Sequence, residues 1–488
     1  MSLESQPQQQ TRYTRIRVQD EDDIDRLYPL ILDYIREPEL ASSVKEFIFR
    51  CPFPKREGYL RKTDRPEVLR AEENNRDISQ EHIISQLVTD LGLQEVEKPD
   101  WIKILTWMKP ELVAARTEAL DGDERSHEVE PFYRFRTELF AHYAAAILML
   151  LCPNIEILKY EDGSKIIENI LRRNNYGEFP EMHLKKLRDV TLLPTNDLFL
   201  GDDRFYTHLD LLALLRMFHR LPAIESVSTD AVGNDSGASY LVRFPPAVSD
   251  LDRIHVGHAM YGTDVIAPLI RVPRRLEEFT FTTGGRSNLD GGYSTRSAKA
   301  IGKALYEHRS SLRKIDIDID EYIGGKDEDS DDEETLGNDP WYKTDLESST
   351  KPSKTSEDPN TREYGKTIGS MHDFESLTHL SIGIELLLGR RKYRVEEIEE
   401  APFRLAEALP KSLEYLMIRG YQRGTVPQYD AQIDELLLTK EERLPSLREL
   451  HGIDETIPIA TSIEFPDENF DELWQPEELD ESWLEVLE

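Results

Sequence analysis

Cysteine is almost absent: Cys51 and Cys152 are the two thiols in 488 residues. That scarcity excludes a disulfide-stapled scaffold and a four-cysteine zinc site, and both thiols are expected simply to pack. Basic residues are short as well, 60 Lys plus Arg against 95 Asp plus Glu, which sets the formal charge at −35. A field of that sign repels phosphate backbones and anionic lipid, so neither direct nucleic-acid binding nor a membrane partner is expected. No long hydrophobic run occurs. The longest, Leu139 to Cys152, is about 14 residues and contains His142, too short to cross a bilayer. The opening MSLESQPQQQTRYTR lacks the apolar core of a signal peptide. A cytoplasmic protein is expected, and the cluster Arg390, Arg391, Lys392 and Arg394 leaves a nuclear address open.

Catalytic and ligand-binding motifs are missing in the same way. Gly284-Gly285 and Gly291-Gly292 flank a loop, but Tyr293 stands where a phosphate loop needs its lysine. Tight turns, with Ser294 or Thr295 capping the next helix, are the expected structure there. Asp327, Asp329 and Asp331 imitate the start of a calcium loop. Asp332 replaces its obligatory glycine, and Asn338 its final glutamate. No GxSxG elbow and no HExxH occurs, and His255 and His258 do not share a helix face. The expectation is a protein that is not an enzyme, with no cofactor and no metal. Ser330 followed by Glu333 is a candidate phosphorylation site for an acidophilic kinase.

What is present is a recurring triplet of apolar residues at the first, fourth and sixth positions. It occurs as Val44, Phe47, Phe49; Ile155, Leu158, Tyr160; Leu187, Val190, Leu192; and Leu251, Ile254, Val256. Further copies are Leu276, Phe279, Phe281; Leu312, Ile315, Ile317; Leu377, Leu380, Ile382; and Leu413, Leu416, Ile418. Ile224 with Val227, and Leu447 with Leu450, are weaker copies. Such spacing arises often by chance in a chain that is 39% hydrophobic, so its context carries the weight. Pro153, Pro222, Pro273, Pro410 and Pro445 stand just before five copies, ending helices and feeding the chain into extended backbone. From Ile155 onward the copies lie 32, 37, 27, 25, 36, 65, 36 and 34 residues apart. Between them run helix-period stretches such as Tyr206 to His219 and Ser294 to His308. A short strand and a helix at that period is the plan of a leucine-rich repeat.

The expected fold is therefore α/β: a leucine-rich-repeat-like solenoid, one parallel strand plus helix per irregular repeat, with a helical N-terminal cap. Residues 1–24 are expected to be a disordered N-terminus, and 25–131 a mainly helical cap that includes the first strand. Residues 132–460 form the solenoid and 461–488 an acidic C-terminal tail. The one long interval holds residues 322–368, acidic and nearly free of aliphatics, expected as a disordered insertion because it has little to bury. In the tail, Leu479, Trp483 and Leu487 recur at four-residue spacing after Pro476, which predicts a short helix. Trp483 is expected either to dock on the last repeat or to serve a partner.

Three stretches resemble the fungal F-box and leucine-rich-repeat-like proteins. They are LYPLILDYIREPELASSVKEFIF (Leu27 to Phe49), AAAILMLLCPNIEILKY (Ala144 to Tyr160) and LEEFTFTTGGRSNLDGGYSTRSAKAIGKALYEHRSSLRKIDIDID (Leu276 to Asp320). The Leu-Pro-x-Glu signature of an F-box does not precede the first helix. The resemblance implies a protein-interaction module, or alternatively a substrate receptor that meets the adaptor of a cullin-type ubiquitin ligase without an F-box. An unrecognised hydrolase is the remote alternative. In either binding role, residues beside the apolar strand positions line a concave sheet face that meets a protein partner. The candidates there are Arg253, His255, Glu278, Thr280, Lys314, Asp316, Asp318, His379, Tyr415 and Arg419.

Overall fold

All eight complete triplets turn inward: in the computed structural model none of their side chains is more than 1% exposed. The second and third residues of each triplet lie two apart on a strand and so share one face. The structure describes residues 12–50, 77–93, 97–120, 126–194, 202, 204–233, 244–287, 296–320, 364, 367–389, 401–460 and 480–486. Cys51, Ser330 and the Arg390–Arg394 cluster lie outside these, as does nearly all of the 322–368 insertion.

The chain is α/β and forms two units. The first comprises residues 1–201, 214–224 and 477–488. Its strands are β1 (Tyr13–Val18), β2 (Glu46–Phe49), β3 (Ile157–Glu161) and β4 (Asp189–Leu193), paired in chain order and all parallel. A two-residue strand, Leu484–Glu485, adds antiparallel to the free edge of β1. Helices Glu21–Arg36, His82–Asp90, Lys98–Leu105, Pro110–Leu120 and Ser126–Leu151 belong to the same unit. The first begins where Asp20 accepts a bond from the Asp23 N–H at 2.9 Å, a side-chain cap that satisfies an otherwise orphan donor.

The second unit comprises residues 202–213 and 225–476. Thr207–His208 (β5) and Val232–Gly233 (β7) form a small parallel pair. The larger run is β6 (Ser226–Asp230), β8 (Arg253–Gly257), β9 (Glu278–Thr282), β10 (Lys314–Asp318), β11 (His379–Gly383), β12 (Tyr415–Arg419) and β13 (Glu449–His451). Again every neighbour is parallel and follows chain order. The register lines up Ile254, Phe279, Ile315, Leu380 and Leu416 as one apolar ladder, each worth roughly 1.5–3 kcal/mol when fully buried. Helices such as Thr263–Arg271, Ala298–Tyr306 and Pro427–Arg443 return the chain between strands.

Four expectations need correction. Residues 13–18 form β1, with Ile16 and Val18 fully buried, and the first helix starts at Glu21, so the described part of the 1–24 segment is structured, while residues 1–11 lie outside the described residues. At the far edge of the insertion, Tyr364, Thr367 and Ile368 are buried, because Gly369 at φ 86° turns the chain back against Tyr364. The stretch from Tyr206 holds only the five-residue helix Leu211–Leu215, since Thr207–His208 pairs as a strand. Residues 480–486 contain a strand and no helix, and Trp483 meets Tyr13 and Asp23 in the first unit, not the last repeat. Among the described residues no helix is long and apolar enough to cross a membrane.

Candidate partner-binding face

Side chains alternate along a strand, so the residues between the buried triplet positions share the opposite face. In the second unit all ten candidates lie on five adjacent parallel strands, β8 to β12. The register sorts them into rows. Arg253, Glu278, Lys314, His379 and Tyr415 stand side by side, and Glu449 continues that row. His255, Thr280 and Asp316 form the next, continued by Ser381, Met417 and His451. Lys314, His379 and Glu449 are exposed, while Arg253, Glu278 and Tyr415 are half-buried.

Aromatic rings give one end of the face its relief. His379 stacks on Tyr415 with centroids 5.7 Å apart and planes 21° apart. Tyr415 in turn meets His451 at 5.4 Å. Burial raises the Tyr415 hydroxyl above its ordinary value, with Glu449 and Asp316 adding to the effect against Arg419. A ladder of three rings on an otherwise charged sheet is the kind of rigid, amphipathic surface that anchors protein contacts.

Charged groups at the other positions are largely matched. Arg253 donates to Glu225 at 3.0 Å, and the imidazole of His255 lies 3.2 Å from the Thr280 hydroxyl. Burial lowers the His255 pKa; the nearby Glu278 opposes this, and Lys314 and Arg253 add to it. Arg419 donates to Asp316 at 3.2 Å and to the Ser381 hydroxyl at 3.1 Å.

Asp318 does not belong on the solvated face. It is 2% exposed, because the chain after β13 folds across the end of the strands. Gly420 donates its N–H to the Ile457 carbonyl at 2.8 Å, and Ala460 donates to Asp318 at 2.7 Å. Burial raises the Asp318 pKa, opposed by the Ala460 N–H and by Arg419, 3.8 Å away. Asp320, two residues further on, is buried too, at 3%. It accepts from the Glu385 and Leu386 N–H groups at 2.9 and 3.1 Å, capping the short helix Ile384–Leu388.

Three members of the face escaped the sequence reading: Ser381, Glu449 and His451. The last triplet is broken because Gly452 stands where its sixth residue belongs, at φ 82°. A β-carbon there would collide with the Ile418 carbonyl. Strand β13 therefore stops at His451. Matching Leu450 to Leu416 would have placed His451 beside Met417.

Among the described residues no group of three or more His, Cys, Asp and Glu side chains is placed to hold a metal ion. Cys152 is fully buried, and burial pushes its thiol pKa up, which makes it inert. No protein-family model and no curated protein matches the chain.

Proposed function

We propose that the chain is a non-enzymatic protein-binding module built as a leucine-rich-repeat-like solenoid, its second unit presenting a partner-binding sheet face. The observation that carries this reading is the side-by-side register of Arg253, Glu278, Lys314, His379, Tyr415 and Glu449, one residue from each successive repeat. Parallel strands that pair strictly in chain order, each preceded by a buried Leu or Ile, support the repeat plan. An extended polar row suits a protein surface better than a small molecule, which favours a deep apolar pocket. The His379–Tyr415–His451 ladder supplies the anchor and Lys314 with Glu449 the charged rim.

The test is affinity purification with mass spectrometry on the full chain, run beside a His379→Ala/Tyr415→Ala variant whose circular dichroism is native. A partner retained by the wild type and lost by the variant supports the face. An unchanged partner set overturns it. Recovery of a cullin adaptor among the lost partners would specify the module as a ubiquitin-ligase substrate receptor.

A further inference from the structure

Residues 480–486 lie in the first unit against a cluster of cations that is unusual in so acidic a chain. Glu481 accepts from Arg50 at 3.0 Å and from Lys159 at 3.0 Å. Among the described residues, the carboxylate that meets the Arg50 guanidinium is Glu481. Lys159 is shared with Glu46, 3.6 Å away, which also pairs with Arg15. Two positions on, the Trp483 indole donates to Asp23 at 2.7 Å, a carboxylate only 2% exposed and held by Arg17 at 2.8 Å. The ring meets Tyr13 edge-on at 5.0 Å, with Arg26 over it at 5.6 Å. An acidic side chain and an indole two residues apart thus fill two built subsites, one cationic and one with a buried acceptor.

The rest of the segment is held lightly. Its strand pairing covers two residues, and the register shifts between Tyr13 and Arg15. Ser482, Leu484, Glu485 and Val486 are exposed, Leu484 at 48%. Its main chain accepts from the Arg15 guanidinium at the Asp480 carbonyl and from the Thr14 hydroxyl at the Leu484 carbonyl, and the Val486 N–H donates to the Arg12 carbonyl. Edge pairing of this kind is how an extended peptide adds to a sheet in trans.

We propose that the β1 edge is a docking site for an acidic, tryptophan-bearing extended peptide of a protein partner, and that Asp480–Val486 is its resident, displaceable occupant. The carboxylate enters between Arg50 and Lys159, the indole two residues later reaches Asp23, and the backbone extends the sheet beyond β1. This site is independent of the face on β8 to β12. Occupancy by the chain's own tail holds it closed until a partner peptide of the same chemistry outcompetes the tail.

The experiment uses the full chain and a fluorescent peptide of residues 477–488, read by anisotropy. Glu481→Arg/Trp483→Ala empties the site in cis without altering the receiving surface. That variant is expected to bind the peptide at least about tenfold more tightly than wild type, because it removes an intramolecular competitor of high effective concentration. Adding Arg50→Glu should abolish that binding, Arg50→Lys should restore part of it, and a peptide with alanine for its tryptophan should not bind. Circular dichroism and a thermal melt confirm that each variant is folded. A folded Glu481→Arg/Trp483→Ala protein that binds the peptide no better than wild type would overturn the proposal. So would a wild-type dimer that the same substitutions convert to monomer in sedimentation, since the tail would then belong to a second copy.

Discussion

The Trp483 indole donates a hydrogen bond to Asp23, 460 residues earlier in the chain, so the C-terminal segment secures the entry to the first helix. The neighbouring Glu481 carboxyl is subject to opposing influences. Burial raises its pKa, but bonds from Lys159 and Arg50 outweigh this and hold it below the ordinary glutamate value. A carboxylate whose pKa is depressed on docking favours the docked state above its free pKa, and loses that contribution as pH falls through the docked value. Acidification across that interval should therefore release the tail before the unit unfolds. The Trp483 indole N–H resonance, followed by NMR against pH, reports the release. A Glu481→Gln variant should show no such step, and a step that persists in it would exclude Glu481 as the cause.

Strand β10 separates fold from surface at single-residue spacing. Ile317 is 1% exposed between Phe281 and Ile382, so Ile317→Asp buries an unpaired carboxylate and should cost several kcal/mol, on the order of 3 or more. Asp316→Lys, half-buried but facing outward, should fold with a modest loss from its Arg419 pair. Asp318→Lys should fail, because it places a cation against the Ala460 N–H and 3.8 Å-distant Arg419 in a site closed to water. Circular dichroism and urea titration of the three single variants check the order: Asp316→Lys stable, the other two unfolded or severely weakened.

That contrast shows what was legible in the sequence. The triplets placed the buried residues of eight strands, because hydrophobic spacing is a local signal that the fold must honour. Tyr13, Ile16 and Val18 carry the same spacing, yet the polar, glutamine-rich residues before them favoured a disordered assignment. Alternation also placed Asp316 correctly and Asp318 wrongly. The burial of Asp318 comes from Ile457 and Ala460, which lie far along the chain and carry no pattern that points back to β10. The docking of Trp483 on β1 was hidden for the same reason: strand pairing between the two ends of a chain leaves no periodic trace.

Asp320 offers a pH test of opposite sign. Burial raises its pKa well above the ordinary aspartate value, with Glu385 and Asp318 adding to this and the Glu385 and Leu386 N–H groups opposing it. A group whose folded pKa is raised contributes stability that is present at low pH and lost as pH rises through the folded value. Asp320→Asn removes that titration while keeping one acceptor for the cap. The melting temperature of the variant relative to wild type should therefore be most favourable at high pH and decline as pH falls. A difference that is flat across the range would show that Asp320 stays ionised in the folded chain.

Two arginines of the candidate face should differ in what their removal costs. Arg253 pairs with Glu225 where both side chains are more than a third exposed, and such pairs contribute about 0–1 kcal/mol. Arg419 bonds to Asp316 and Ser381 and is the cation nearest the buried Asp318. Arg419→Ala leaves Asp318 with the Ala460 N–H as its remaining described donor, and should cost roughly 1–3 kcal/mol. Restoring neutrality should recover part of the loss, so Arg419→Ala/Asp318→Asn is expected to be more stable than Arg419→Ala alone. Urea denaturation of the double-mutant cycle measures the coupling directly. Equal losses for Arg253→Ala and Arg419→Ala would place both in the solvated rim, and would remove the link between the 457–460 segment and the stability of the face.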